Sequence, residues 1–259
     1  MLPRKELLNV IGASVRPMIA DYFWIQLIHA TGTASDRYEY RNIYDYADLV
    51  TDLDPRFEYA YVFSSTAVTY NLGKDTWVNT EESTALLEKG LRQFPKHVFL
   101  RTILAFNFSF YHRQPLRAAR LLEETSRLPG APRYLAQLAT RLYAQSGAFD
   151  AGLELARTLA EGTSDPETRA TFERRVKEIE LERILQRIDD AIDAFERQSK
   201  RPPHDLKELV SSGFLAAVPE DPLGGTLYIG SDGRSYSSAS AHRLEAYGGV
   251  SRKEGEASP

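Results

Sequence analysis

The sequence predicts a mainly α protein: a solenoid of helical hairpins, then one long helix, then a small α+β module with an antiparallel hairpin. Helix-breaking positions recur along its first part at intervals of roughly 35–40 residues, which is the period of a helical repeat. Residues 167–199 contain neither Gly nor Pro and carry apolar side chains three and four apart. Two short segments that favour strands, 226–229 and 235–238, then flank a turn sequence at Asp232.

These observations divide the chain into three predicted parts. The solenoid covers residues 1–165, the long helix and the C-terminal module cover 166–247, and a disordered tail covers 248–259. The tail is predicted because Gly, Ser, Lys and Glu follow one another there without apolar spacing.

Four helical hairpins are predicted in the solenoid, separated by prolines at 55, 95, 129 and 166. The paired segments are 20–31 with 40–53, 60–72 with 81–94, a third pair carrying Ala105, Phe108, Ala118 and Leu122, and a fourth within 131–163. A longer polar connection at 74–80 joins the two helices of the second pair.

The fourth pair shows the repeat spacing most clearly. Leu135, Ala139 and Leu142 form an apolar stripe on its first helix, and Ala151 and Leu155 face inward from its second. Ala139 and Ala151 lie on opposite sides of a tight turn, where only small side chains fit between closely packed helices. These five residues resemble the tetratricopeptide repeat, which implies stacked hairpins with a concave protein-binding surface.

Four runs resemble, more narrowly, a bacterial group of tetratricopeptide-containing proteins. The runs are ADYFW at 20–24, LDPRF at 53–57, LLEKGL at 86–91 and LPGAP at 128–132. Members of that group commonly carry an N-terminal membrane anchor. The chain as given has no predicted transmembrane segment, because its most apolar early stretch, 7–30, is interrupted by Arg16, Pro17 and Asp21. We therefore expect a cytoplasmic location as written, or the envelope if an upstream anchor was omitted.

The long helix is predicted to pack against its own protein. Its apolar stripe is broken midway, whereas a free-standing coiled coil needs three or four regular heptads. The stripe consists of Phe172, Val176, Ile179, Leu181, Leu185, Ile188, Ile192 and Phe195.

The C-terminal module has an unusual order of elements. Two prolines at 202–203 stop the long helix, and Asp205 caps a short helix that Gly213 ends. Two strands are predicted at 226–229 and 235–238, around the turn sequence SDG.

This order resembles the C-terminal half of type II secretion major pseudopilins, over 188–238. The matching residues are Pro203, Leu206, Leu209, Val210, Gly213, Leu215, Pro219, Asp221, Pro222, Gly224 and Tyr228. The resemblance implies a long helix lying along a small antiparallel sheet. Because the hydrophobic N-terminal helix and the prepilin cleavage site of that family are missing, and Leu223 replaces the usual Trp, the module is expected to be a soluble one that does not polymerise.

Composition and motifs point away from several classes of function. Lys plus Arg is 32 and Asp plus Glu is 36, giving a formal charge of −4 without a basic stripe, so no nucleic-acid partner is predicted. The chain has 0 cysteines, and its histidines at 29, 97, 112, 204 and 242 have no metal-ligand spacing. Nucleotide-binding glycine loops and hydrolase motifs are absent from the sequence. We therefore predict no catalytic residue, no cofactor and no small-molecule ligand.

Two acidic groups have alternative interpretations. Asp189, Asp190 and Asp193 could bind a cation or act as acid and base, although a solvated helix face is favoured. Asp221 and Asp232 could belong to a calcium loop by analogy with pseudopilins, whereas turn formation explains both more simply.

The candidate binding residues come from the repeat positions expected to face the groove. They are Tyr61, Ser65, Thr102, Phe106, Arg133, Thr140 and Tyr143. Aromatic side chains suit peptide contact, but packing between helices uses the same residues at the same spacing and is favoured for any single ring.

The function predicted from the sequence is a non-catalytic scaffold that holds a protein or peptide in the solenoid groove. The C-terminal resemblance implies an accessory factor for a type IV pilus or type II secretion assembly. One alternative is an enzyme with its site at the junction of solenoid and C-terminal module. Another is a membrane-tethered organiser whose start was placed too far downstream.

Overall fold

A computed structural model describes residues 14–74, 76–240 and 242–244 of the chain. Within those ranges the protein is mainly helical and has two small antiparallel sheets of two strands each. The predicted mainly α fold with a small α+β module is confirmed, whereas the tail predicted at 248–259 lies outside the described residues. The chain divides into two compact units, Met1–Leu135 and Ala136–Pro259.

The described part of the first unit consists of three helical hairpins with two short insertions. The hairpins are α1 (Arg16–Thr33) with α2 (Arg37–Leu53), α3 (Glu58–Ala67) with α4 (Thr80–Gln93), and α5 (Val98–Phe106) with α6 (Pro115–Ser126). Strands β1 (Tyr70–Asn71) and β2 (Trp77–Val78) lie between α3 and α4, and a π-helical turn (Asn107–Tyr111) lies between α5 and α6.

The first hairpin forms where the sequence predicts it, because its signals are local. The Asp36 carboxylate accepts hydrogen bonds from the backbone N–H groups of Tyr38 and Glu39, at 2.8 and 3.0 Å, and so caps α2. The apolar stripe of α2 then buries Ile43 and Val50 completely.

The second hairpin departs from its prediction at the connection. The helix expected over 60–72 ends at Ala67, and the chain continues as a β-hairpin in which Tyr70 pairs with Val78 and Asn71 with Trp77. Gly73 has a φ of +98°, which reverses the chain between the strands. The prediction of a helix here is wrong because this turn competes with the helical apolar spacing and prevails.

Helices α3 and α5 are neighbours that run in the same direction. At their N-terminal ends, His97 Nε2 lies 2.7 Å from Glu58 Oε1. Beyond their C-terminal ends, the Trp77 and Tyr111 rings meet with centroids 5.5 Å apart. Since the two helices also contact each other, they form a parallel pair, as first helices of stacked hairpins do.

The second unit begins within a fourth hairpin and continues into the C-terminal module. Its elements are α7 (Tyr134–Gln145, whose first two residues belong to the first unit), α8 (Phe149–Glu161), α9 (Pro166–Ser199), α10 (Leu206–Ser211), β3 (Leu227–Ile229) and β4 (Ser235–Ser237). Helix α9 packs against α8 through its first half and against the module through its second.

The long helix confirms its prediction closely. It has 34 residues, and the Asp165 carboxylate accepts a hydrogen bond from the backbone N–H of Thr168 at 3.2 Å. Every residue of the predicted stripe is buried except Val176, which is half-buried. The slip in the stripe falls where the helix changes its packing partner, which explains why one helix carries two apolar faces.

The C-terminal module also has the predicted elements. Asp205 caps α10 by accepting a 2.9 Å hydrogen bond from the Glu208 N–H, and Gly213 leaves the helix with a φ of +80°. Strands β3 and β4 pair antiparallel, with Tyr228 opposite Tyr236. Leu209 of α10 and Leu227 of β3 pack on the apolar stripe of α9.

The turn interpretation of Asp221 and Asp232 describes what these carboxylates do. Asp221 accepts hydrogen bonds from the backbone N–H groups of Leu223 and Gly225, at 2.8 and 3.1 Å. Asp232 accepts one from the N–H of Arg234 at 3.1 Å, two residues further along the turn.

A buried charged cluster joins α9 to the end of the described chain. Arg243 donates hydrogen bonds to Glu182 Oε1 and to Asp189 Oδ2, both at 2.5 Å. Ser235 donates its hydroxyl proton to Asp189 Oδ1 at 2.7 Å. We call these four residues the arginine clamp.

The clamp corrects one sequence prediction. A solvated face was favoured for Asp189, yet the side chain retains 16% of its exposure and is engaged on both oxygens. Asp190 is exposed, as expected of that face. Although burial alone lowers the pKa of Arg243, its hydrogen bonds to Glu182 and Asp189 raise that pKa above its ordinary value. The guanidinium is therefore a charged part of the folded module.

Candidate peptide-binding surface

The outer side of α3 is apolar and aromatic. Tyr59 is 58% exposed, and Val62 and Phe63 on the same side are half-buried. Helical spacing of three and four puts Thr66, which is exposed, on this side as well. The opposite side of α3 carries the buried Ala60 and Tyr61, and the Phe63 ring also packs on the core around Leu27, 5.5 Å from the Trp24 ring.

The outer side of α5 has the same character. Phe99 and Phe106 lie two turns apart and are 54% and 52% exposed. Thr102 and Ile103 lie between them and are half-buried. None of these four side chains is charged, so two exposed phenylalanines stand on an uncharged strip of a helix that runs parallel to α3.

The π-helical turn extends this strip into an aromatic cluster. Phe106 and Phe110 stack with ring centroids 5.1 Å apart and an interplanar angle of 18°. Trp77 of β2 meets Phe110 at 6.3 Å and Tyr111 at 5.5 Å. We call the whole set the aromatic face: Tyr59, Phe63, Trp77, Phe99, Phe106 and Phe110.

A buried amide accounts for the local geometry of the π-helical turn. Asn107 is 1% exposed, and its Nδ2 group donates hydrogen bonds to Ser83 Oγ at 2.8 Å and to Thr84 Oγ1 at 3.2 Å. Thr84 Oγ1 also lies 2.7 Å from His112 Nε2. A buried amide without partners would be costly, so this network holds Asn107 inward, while Phe106 beside it remains exposed.

Two predicted binding residues lie in the interior, and each of them is buried against a glycine of the next helix. Tyr61 and Tyr143 are 0% and 4% exposed. A Cβ placed on Gly90 of α4 would lie 3.0 Å from the Tyr61 ring, and one on Gly152 of α8 would lie 3.2 Å from Tyr143 Cβ. Each glycine makes room for a tyrosine of the preceding helix, so the prediction that these tyrosines face the groove is wrong.

A glycine also lies at the close contact between the helices of the fourth hairpin. A Cβ on Gly152 would lie 3.4 Å from the Thr140 carbonyl oxygen of α7, and Ala151 is half-buried. Ala139 is fully buried, as expected.

Ser65 and Thr140 are interior residues as well. They are 1% and 0% exposed, and their hydroxyl groups donate to the backbone carbonyls of Val62 and Gln137, at 3.0 and 2.7 Å. Because these hydroxyl groups bond within their own helices, they need no partner from elsewhere. Their predicted place in the groove is wrong for that reason.

Thr102 and Phe106 are the predicted residues that the structure brings together, on the outer side of α5. Thr102 donates its hydroxyl proton to the Val98 carbonyl at 2.8 Å. Arg133 is exposed in the segment that precedes α7. Whether these three residues bind a partner stays a prediction.

Sequence reasoning missed most of the aromatic face. Phe63, Phe99 and Phe110 are not among the residues predicted to bind, and Trp77 falls within the predicted polar connection at 74–80. A signal was available in the pair Phe99 and Phe106, because two phenylalanines seven residues apart share a helix face. Their exposure depends on which side of α5 the neighbouring hairpins cover, and spacing does not reveal that.

The titratable groups near this surface serve the fold. Burial raises the pKa of Tyr61 to about 12, and its hydroxyl group donates to the Pro55 carbonyl at 3.2 Å. No group of three His, Asp or Glu residues in the described ranges could hold a metal ion. The aromatic face itself consists of rings and aliphatic neighbours, which suit apolar contact more than acid–base chemistry.

Comparison with known proteins adds no family to these observations. No family model matches the chain, and no curated protein matches it significantly. Over residues 14–74, 76–240 and 242–244, none of the helices combines the length and the apolar character needed to cross a membrane.

Proposed function

We propose that this protein is a non-catalytic interaction scaffold whose aromatic face binds an apolar peptide segment of another protein. One observation carries the proposal: Tyr59, Phe99 and Phe106 are each more than half exposed on two parallel, adjacent helices. Contiguous exposed apolar surface rimmed by polar residues is typical of interaction sites. Aromatic side chains also contribute the largest share of binding energy in protein interfaces.

The dimensions favour a short peptide. Phe99 and Phe106 are separated by two helical turns, which is about 10 Å. Two apolar side chains at i and i+7 of a bound helix have the same separation and lie on one side of that helix. The uncharged strip between the two rings favours a ligand whose contacting side chains are Leu, Met or aromatic.

The aromatic face is tested by selection from a random peptide library with the full-length protein. We expect enriched peptides with two apolar residues seven apart in their sequence. The double variant Phe99→Ser with Phe106→Ser should bind them at least tenfold more weakly by calorimetry, because the contacting rings are gone.

Tyr228→Ser is the matched control, since Tyr228 is 48% exposed in the C-terminal module. Peptides that bind the double variant and the unchanged protein equally, or a selection that enriches nothing, would overturn the proposal.

We further propose that the C-terminal module directs the scaffold to a type IV pilus or type II secretion assembly. This rests on the pseudopilin resemblance over 188–238 and on the matching order of long helix, short helix and hairpin. Tagged full-length protein should co-purify components of such an assembly from its native cells. A version ending at Lys200 should lose them, and retention by that version would contradict the assignment.

A further inference from the structure

Helix α1 carries a second apolar surface, separate from the aromatic face. Its inner side buries Ala20 and Leu27 against α2 and the second hairpin. The opposite side carries a row that we call the outer stripe. Its members and their exposed fractions are Val15 44%, Met18 71%, Tyr22 58% and Ile25 63%.

The outer stripe has the spacing of a helix-pairing seam. Successive members are three, four and three residues apart, which keeps them in line along one side of a helix. Arg16 and Asp21 are the only Lys, Arg, Asp or Glu residues of α1. A helix that is apolar on both sides needs a second partner to cover the exposed one.

We propose that the outer stripe is a dimer interface in which α1 of a second copy packs antiparallel. The stripe is complementary to itself in that direction: Met18 of each copy faces Tyr22 of the other, and Val15 faces Ile25. Antiparallel packing also places each helix N-terminus beside the C-terminus of the other helix, where the helix dipoles attract.

Size and charge favour this occupant over others. Two outer stripes together bury on the order of 1,000 Å², about the minimum for a specific protein interface. A helix that binds a membrane surface carries Lys and Arg along its polar side, whereas α1 has the single basic residue Arg16 apart from His29. A charged peptide would find one acidic and one basic group along the whole helix.

The oligomeric state of the full-length protein tests the proposal. Sedimentation equilibrium between about 1 and 100 µM should show a monomer–dimer equilibrium, as a minimal-size interface gives. Ile25→Glu should weaken dimerisation at least tenfold, because each dimer would bury two carboxylates against apolar side chains.

Leu72→Glu is the matched control, since Leu72 is 50% exposed in the turn between β1 and β2. It should dimerise like the unchanged protein, and circular dichroism should show equal helix content in both variants. A protein that stays monomeric over the whole range, or a dimer that Ile25→Glu leaves intact, would overturn the proposal.

Cross-linking tests the antiparallel direction, because the chain has 0 cysteines of its own. The double variant Met18→Cys with Tyr22→Cys should form covalent dimers on oxidation, and either single variant should form few. Efficient cross-linking by Met18→Cys alone would indicate parallel helices and contradict the proposed packing.

The segment that precedes α1 is the competing occupant. A version starting at Ser14 should dimerise at least as well as the full-length protein if a second copy covers the stripe. If the full-length protein is monomeric and that version is dimeric, residues 1–13 occupy the stripe and the proposal fails. The Phe99→Ser and Phe106→Ser double variant should dimerise normally, which separates this test from the peptide proposal.

Discussion

The hairpins of the first unit and the C-terminal module are held together in different ways. In the hairpins, packing joins neighbours along the chain, as Trp24 joins Phe57 with ring centroids 5.0 Å apart. In the module, Arg243 joins Glu182 across 61 residues of sequence, and Ser235 joins Asp189 across 46. The hairpins therefore pack neighbouring helices on one another, whereas the module adds buried ion pairs between distant residues to its apolar core.

The two regions also differ in the side chains that they expose and bury. The hairpins leave aromatic rings such as Phe99 and Phe106 exposed, and the module buries the charges of Glu182 and Arg243. A buried ion pair stabilises only when its geometry is complete, so the clamp should maintain the shape of the module. The exposed rings are the observation behind the proposal that the first unit binds a peptide.

Removing the clamp arginine should have the largest effect. Arg243→Met removes the cation closest to both Glu182 and Asp189 and leaves Asp189 with Arg234, whose Nη2 lies 3.9 Å from Oδ2. Breaking a buried pair of this kind costs about 3–5 kcal/mol. Hydrogen exchange at the backbone amides of β3 and β4 should accelerate accordingly. Unfolding of the first unit should be unchanged. Tryptophan fluorescence measures it, because both tryptophans, Trp24 and Trp77, lie in that unit.

Arg157→Met is the control for that variant. Arg157 pairs with Glu180 at 3.1 Å on the surface of the same unit, where an ion pair contributes about 0–1 kcal/mol. Equal acceleration in the two variants would mean that the clamp holds the module no better than a surface pair.

A methyl group at the tyrosine–glycine contact should have the next largest effect. Gly90→Ala places a Cβ 3.0 Å from the Tyr61 ring, and overpacking of this kind costs about 1–3 kcal/mol. The Cβ that Gly32→Ala adds would meet no atom within 4 Å. This substitution should therefore stabilise α1 by about 0.5–1 kcal/mol, which is the difference in helix propensity between alanine and glycine. Urea unfolding followed by tryptophan fluorescence compares them, and equal shifts in the two variants would contradict the close packing.

The helix caps allow one kind of contact to be compared in both regions. Asp36→Ala and Asp205→Ala each remove a carboxylate that accepts hydrogen bonds at a helix N-terminus, and each should cost about 1 kcal/mol. Fluorescence-detected unfolding measures the first variant, and hydrogen exchange in α10 measures the second. Loss in only one region would show that the other helix is held by packing alone.

The hairpins of the first unit should lose folding stability at high pH. Burial raises the pKa of Tyr61 to about 12, so the folded state favours its neutral form. This contribution to stability is complete below a pH of about 10 and is lost as the pH rises toward 12. Tyr61→Phe removes that titration, and difference absorbance at the tyrosinate band should therefore lose its latest step.

The C-terminal module should lose folding stability at low pH, and this is the smallest of the expected effects. A hydrogen bond from the Arg201 side chain and a second, with a smaller effect, from the His204 backbone N–H lower the pKa of Glu208 from 4.5 to about 2. A depressed pKa contributes stability above the unfolded value, and that contribution is lost as the pH falls from about 4.5 toward 2. NMR titration of the Glu208 carboxyl carbon should show the low midpoint, and Arg201→Gln should raise it. An unchanged midpoint in Arg201→Gln would contradict the assigned cause.

Prediction from the sequence succeeded where the determinants are close together along the chain. The Asp36 and Asp205 caps, the length of α9 and the turn between β3 and β4 follow from spacing, capping residues and turn chemistry. It failed where a helix has two apolar sides, because spacing places a residue on a side without showing what covers that side. Tyr61 and Tyr143 were assigned to the groove for this reason.

The sequence by itself determined the helical hairpins, the long helix and the order of the C-terminal module, since each depends on interactions within a few residues. Only the tertiary structure decided that Phe99 and Phe106 are exposed, that Asp189 is engaged by Arg243, and that Gly90 receives Tyr61. Those outcomes depend on which segments meet across tens of residues. Which side chains are buried and which are paired depends on these long-range contacts, so the surface available to a partner forms only once the hairpins have packed.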